Sequence, residues 1–306
     1  MNLDQLYNLQ FMMFAELAAG YLLCRFHILE PKDRKILSKA VIYLFFPANI
    51  IAAFNVKLNA ETAAGFAVIL TISILIQILS AMIAAVAYRR PEPGRKEVLQ
   101  FGTVCSNAGF LGNAVAEGIY GQSGLMYGQI YLIPLRIVMW SAGVSYFEKG
   151  NGKADVIRKV LTHPCIIAVI IGLIRMILNV PVPYAVDLTL TSLGRCATPL
   201  IMVFLGMVTY EAGFGSMISS QTLYYSFIRL FLIPAIVLCG CMLIKTDPLI
   251  GGLSVLLCAM PAGTTTVVVA EQYHADVRFA ADCIVLTTLL SLAVLPLWAM
   301  AVSHLL

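Results

Sequence analysis

Two stretches of this sequence place helix-breaking residues and hydrogen-bonding side chains in the middle of apolar runs. One reads Ser106-Asn107-Ala108-Gly109-Phe110-Leu111-Gly112-Asn113, the other Met260-Pro261-Ala262-Gly263-Thr264-Thr265-Thr266. Glycine and asparagine weaken continuous helix in the first. In the second, Pro261 removes a backbone donor and three hydroxyls follow that can cap a new helix start. A helix that restarts there presents free N–H groups and about half a positive charge at its N-terminus, the chemistry of anion capture. The candidate ligand-binding residues are Asn107, Gly109, Asn113, Pro261, Gly263, Thr264 and Thr265.

Three arginines point the same way. Arg136, Arg195 and Arg229 lie roughly 14 to 16 Å into apolar runs at helical rise, where each costs about 2.5 to 3.5 kcal/mol if left facing lipid. Arg136 and Arg229 are the expected source of charge for an anion, with Glu16 and Asp282 the acids at hand for structural pairing. Glu117 and Glu271 fall about 12 Å beyond the breaks, near opposite membrane faces. His27, His163, His274 and His304 all fall near the ends of apolar runs, which argues against a buried histidine relay. No cysteine or histidine grouping has metal-ligand spacing, so no metal and no cofactor is expected.

The elements that position these groups follow from composition. Of 306 residues, 60% are apolar and 12% charged, and the mean hydropathy is +0.89. So few charges cannot cover a water-soluble globule, whereas a bilayer removes most of the need. The expected fold class is an all-α polytopic membrane protein. Ten apolar runs, at about 6–24, 38–54, 63–87, 98–119, 125–147, 164–180, 186–208, 219–243, 250–272 and 280–303, predict ten transmembrane helices and leave no room for a separate soluble domain. The first run lacks a basic segment before it and is expected to be retained. With the N-terminus outside, fourteen basic residues fall in inner connections and three, Lys57, Arg175 and Lys245, in outer ones. That asymmetry puts both termini outside. The net charge of +4 is explained by these flanking residues, and no nucleic-acid partner is expected.

An internal repeat is legible. Residues 108–117 read AGFLGNAVAE and residues 262–271 read AGTTTVVVAE, so A-G-x5-V-A-E recurs at an offset of 154, about half the chain. Five spans separate the copies, and an odd number inverts the second. The prediction is an inverted 5+5 repeat, 1–150 (spans one to five) and 151–306 (spans six to ten), with broken helices in spans four and nine.

These residues resemble the auxin efflux carrier family, which includes plant PIN-type carriers and bacterial permeases of the malonate and malate type. The likeness covers essentially the whole chain. It rests on Asn107-Ala108-Gly109-Phe110-Leu111-Gly112, similar to the family's N-x-G-F-x-G, and on Pro261-Ala262, Ala270-Glu271-Gln272-Tyr273, Thr287-Thr288 to Pro296, and Phe46-Pro47. Two departures stand out: Ala114 where the family pattern continues to proline, and Gln77 in span three where plant members carry an acid linked to proton coupling. The resemblance implies an NhaA-like fold. Spans one, two, six and seven would form a scaffold that dimerises, and spans three to five and eight to ten a moving transport domain. It also implies that Asn107 and the backbone around Pro261 line the substrate site.

The expected function is secondary transport, in the efflux direction, of a small organic anion such as a carboxylate across the plasma membrane. Sodium- or proton-coupled symport of the bile-acid type, an anion channel and a membrane sensor with a vestigial site remain as alternatives. Enzyme motifs such as HExxH, GxSxG and the P-loop are missing from the sequence, and no enzymatic activity is expected.

Overall fold

The computed structural model describes residues 3–55, 63–88, 94–109, 111–147, 158, 161–178, 180–212 and 217–306. Lys57, Arg89, Arg90, Lys149, Lys153 and Lys159 from the charge count, the motif residue Phe110 and the expected repeat boundary at 150/151 lie outside the described residues. The regular structure of the described residues is helical. In chain order the helices are α1 (Leu3–Arg25), α2 (Arg34–Ala53), α3 (Ala63–Ala87), α4 (Arg95–Val104), α5 (Leu111–Val138), α6 (Pro164–Ile177), α7 (Tyr184–Arg195), α8 (Ala197–Ala212), α9 (Ser220–Leu243), α10 (Pro248–Cys258), α11 (Thr265–Gln272) and α12 (Val277–Leu305). Five stretches are long and apolar enough to cross a membrane by length and composition: Arg34–Ala53, Ala64–Ala87, Tyr184–Glu211, Ser220–Leu243 and Val277–Leu305. Pro164–Ile177 and Pro248–Cys258 are shorter apolar helices.

Local sequence explains the irregularities. At Gly121 the backbone turns to φ 62° and ψ −150°, which only glycine adopts readily, and splits α5 in two. Gly128 then lies against both Ala116 and Asn113, so residues 111–120 and 122–138 run side by side as a helical hairpin. Helices α2 and α9 each pass through one π turn, Val41–Phe45 and Ile228–Leu232, shortly before Pro47 and Pro234. Proline lacks the N–H that its preceding turn needs, and the freed carbonyls find other donors. The Trp298 indole donates to the Leu230 carbonyl at 2.8 Å, and the Cys165 thiol lies 3.6 Å from the Ile42 carbonyl.

Helices approach closely where glycines face backbone. A β-carbon at Gly20 would collide with the Val203 carbonyl, and one at Gly206 with the Leu17 carbonyl, so α1 and α8 touch nearly backbone to backbone. Gly194 of α7 meets Asn49 of α2 in the same way, and the Asn49 amide donates to the Gly194 carbonyl at 3.2 Å. Ion pairs close the helix ends: Arg34 with Glu211 at 2.9 Å, Arg175 with Asp187 at 2.8 Å, and Arg95 with Asp276 at 2.9 Å.

The α1–α8 contact yields a prediction. Gly20→Val and Gly206→Val should each lower the thermal midpoint of detergent-purified protein and the yield of monodisperse material, because overpacking of this kind costs about 1–3 kcal/mol. Gly240→Ala, with open space around the glycine, should leave both unchanged.

Candidate functional site

The two polar interruptions fall where the sequence places them and meet. Helix α4 ends at Val104 and the next helix starts at Leu111; α10 ends at Cys258 and α11 starts at Thr265. Both pairs of boundaries, Val104 with Cys258 and Leu111 with Thr265, are 154 residues apart. Between them the unwound strands pair antiparallel, with a bridge at Ser106 and Ala262. The Asn107 N–H donates to the Pro261 carbonyl at 2.9 Å, and the Gly263 N–H donates to the Cys105 carbonyl at 2.9 Å. In a low-dielectric interior an unpaired backbone group costs several kcal/mol, so each break satisfies the other.

Arg229 secures the other ends. Its guanidinium donates to the Cys258 carbonyl at 2.8 Å and to the Thr103 carbonyl at 3.4 Å, the last turns of α10 and α4. Carbonyls left open at a helix C-terminus carry partial negative charge, and a buried cation spanning two of them offsets both. The Thr287 hydroxyl accepts the Ala262 N–H at 3.2 Å and ties the second break to α12.

On the opposite side, the helix starts face a cavity of about 120 Å³. A single water needs roughly 10–15 Å³ on this kind of measure, so the space admits a small organic ion. Ser106, Asn107 and Gly109 line it from the first break, and Gly263, Thr264 and Thr265 from the second. Leu132, Leu135, Arg136, Met139 and Trp140 form one wall; Phe46, Asn49 and Ile50 of α2 with Ala197, Thr198 and Ile201 of α8 form the other. No side chain caps the start of α11, whose N-cap Thr264 and first residue Thr265 line this space at the end of the helix that favours an anion.

Three donors in this cavity are left without partners. Arg136 is 8% exposed, its Nη1 has no hydrogen-bond partner, and its guanidinium rests 5.9 Å from the Phe54 ring centroid. Asn107 is 5% exposed with Nδ2 unpartnered, and the Thr265 hydroxyl is unpartnered as well. A cation, an amide and a hydroxyl, all converging without an internal acceptor, form an acceptor-seeking site.

Of the residues expected to bind, Asn107, Gly109, Arg136, Gly263, Thr264 and Thr265 line the cavity. Three do not. Arg229 is committed to the helix ends behind the crossing; Pro261 offers its carbonyl to Asn107; Asn113 turns its amide to the Gly109 carbonyl at 2.7 Å. Among the described residues Glu16 makes no ion pair with the deep arginines, and its Oε2 is buried without a hydrogen-bond partner. Arg195 is exposed at the end of α7. His163 sits at a helix end, as expected, but is buried, stacking on Trp140 with centroids 5.4 Å apart. Sequence reasoning missed Asn49 and Thr198. A polar residue two positions after Pro47 in an apolar run was the available signal for Asn49; Thr198 offered none.

Residues 6–299 match the membrane transport protein family, and the chain belongs to it. This is the family to which the resemblance to auxin efflux carriers pointed. An uncharacterized transporter of Methanothermobacter thermautotrophicus is 26% identical over 287 residues, covering 92% of this chain and 93% of that protein. An uncharacterized transporter of Methanocaldococcus jannaschii is 25% identical over 291 residues, covering 91% and 93%.

The two arginines should respond oppositely to substitution. Arg229→Met removes two charge-assisted hydrogen bonds worth about 1.5 kcal/mol or more each and should lower the thermal midpoint of ligand-free protein. Arg136→Met removes a buried cation that has no ion pair and should hold or raise it. Differential scanning fluorimetry of the two purified variants reads the contrast.

Proposed function

We propose that this protein is a secondary transporter that carries a small organic anion, with a carboxylate as the recognised group, by alternating access around the cavity at the crossing. The observation that carries this reading is the convergence of unpartnered Arg136, Asn107 and Thr265 donors with an uncapped helix start in one buried space. A carboxylate there accepts from Arg136 Nη1, from Asn107 Nδ2 and from the Thr265 hydroxyl, and the Phe46 and Trp140 rings, with centroids 5.2 Å apart, exclude water.

The architecture assigned to this function is ten spans in an inverted 5+5 repeat of NhaA-like form, residues 1–150 and 151–306. Span four is α4 with residues 111–120, span five residues 122–143, and span nine α10 with α11. The antiparallel pairing of the breaks and the 154-residue offset of their boundaries support the inversion. A scaffold of spans one, two, six and seven and a moving domain of the rest is supported by how polar bonds divide. Asn49–Gly194, Asn55–Asp187, Arg34–Glu211 and Arg175–Asp187 join scaffold spans to one another. Arg229, Trp298, Thr287, the Arg95–Asp276 pair and the Ser73–Tyr131 bond at 2.6 Å join the others. Of the bonds named here, only the 3.4 Å contact of the Ser38 hydroxyl with the Val268 carbonyl crosses between the two sets.

In this reading the protein lies in the plasma membrane with both termini outside, and a homodimer forms through the scaffold. Outward movement needs no coupling ion, since 100 mV, negative inside, favours each exported negative charge by about 2.3 kcal/mol.

A thermal-shift screen of purified protein with acetate, malonate, malate and benzoate should find a stabilising carboxylate. Asn107→Ala should weaken it about 10- to 100-fold, the loss of one hydrogen bond to a charged group. Counterflow of that carboxylate in proteoliposomes should be saturable and lost in Arg136→Gln. A stabilising ligand untouched by both substitutions, or conductance without counterflow, would refute the assignment.

A further inference from the structure

A second, larger opening lies apart from the cavity. It is a groove of about 270 Å³ between the first turns of α2, which supply Lys35, Ser38, Lys39 and Ile42, and the end of α11, which supplies Glu271 and Gln272, with His274 just beyond. Two lysine ammoniums face one carboxylate, so the groove is net positive before the imidazole is counted.

The register of both helices connects this groove to the cavity. On α2 the groove residues Lys35, Lys39 and Ile42 are followed, past the π turn at Val41–Phe45, by the cavity residues Phe46, Asn49 and Ile50. On α11 the cavity residues Thr264 and Thr265 are followed by Val268 and then by Glu271 and Gln272 of the groove. The two openings are stacked along one seam between the same two helices, roughly 10 Å apart along α11. The Ser38 hydroxyl crosses that seam to the Val268 carbonyl at 3.4 Å. A hydrogen bond of that length is a weak tie across the seam, which suits a gate.

We infer that the groove is the antechamber of the anion path on the side bearing the basic residues: Lys35 and Lys39 gather carboxylates electrostatically and deliver them along the α2–α11 seam to Asn107 and Arg136. This rests on the cavity being the anion site. The lysines act on encounter and leave the final complex to the cavity. A positively charged entrance of this kind raises local anion concentration and on-rates by tenfold or more, with steep dependence on ionic strength.

The test uses the full chain in proteoliposomes and radiolabelled acetate, malonate and benzoate as probes. Lys35 and Lys39 are exposed, so the double variant K35Q/K39Q should fold normally. Its KM for transport should rise about tenfold with the maximal rate unchanged and a flatter response to salt; K35R/K39R should restore wild-type values. Calorimetric binding of the same probes in detergent should be retained in K35Q/K39Q. Wild-type KM and salt response in the double variant, with binding intact, would overturn the antechamber and leave the cavity reading standing. A defect seen only in vesicles containing phosphatidylglycerol and absent in pure phosphatidylcholine would mean that the groove holds a lipid headgroup, and would overturn it also. Absence of binding by all three probes to wild-type protein would overturn the cavity reading and this inference with it.

Discussion

Two interrupted helices exchange backbone hydrogen bonds at Asn107–Pro261 and Gly263–Cys105, and the remaining architecture answers to that exchange. Peptide groups released by an interruption cannot find water inside an apolar interior, so they must find protein. Pairing the breaks with each other satisfies the middle of both. It also fixes a polarity: the helix ends with open carbonyls gather on one side of the crossing and the helix starts with open N–H groups on the other. Arg229 occupies the first side and is consumed there by the Thr103 and Cys258 carbonyls. Arg136 stands on the second, beside Asn107 and Thr265, with no carboxylate lining the cavity among the described residues. Two arginines of similar depth thus have opposite tasks, and the difference lies in which pole of the crossing each one faces.

The surrounding helices divide by the kind of contact they make. Helices α1, α2, α6, α7 and α8 are joined by close glycine-mediated approaches and by ion pairs at their ends. Helices α9, α10 and α12 are tied together and to the breaks by side chains that meet backbone groups freed by proline or by unwinding: Arg229 and Trp298 donate to carbonyls, and Thr287 accepts the Ala262 N–H. The cavity lies where these groups face each other, with Phe46, Asn49 and Thr198 on one wall and the breaks and Arg136 on the other. A ligand held there touches both groups at once, the arrangement that lets binding bias their relative position.

Much of this was legible in the sequence because the signals were local. Glycine, proline and hydroxyl clusters within apolar runs located both breaks, and the A-G-x5-V-A-E recurrence gave their offset. Depth along a run identified the arginines as costly and hence purposeful. Depth carries no azimuth, however, so Arg229 read as equivalent to Arg136 until the neighbouring carbonyls of α4 and α10 were seen around it. The same holds for Glu16, whose depth matches the arginines' while its Oε2 stays buried without a hydrogen-bond partner. Asn113 spends its amide on the carbonyl four residues back, a local competition open to any asparagine near a helix start. Asn49 and Thr198 come from α2 and α8, whose sequences carry no cluster like those at the two breaks. Only tertiary packing brings them to the cavity.

One turn of α9 carries two attachments pointing to different places. Leu230 holds the indole of Trp298 near the end of the chain, and its neighbour Arg229 grips the carbonyl ends of α4 and α10. The π turn that contains both therefore links them: Trp298 of the last helix is connected to the Thr103 and Cys258 carbonyls through two adjacent residues of one turn.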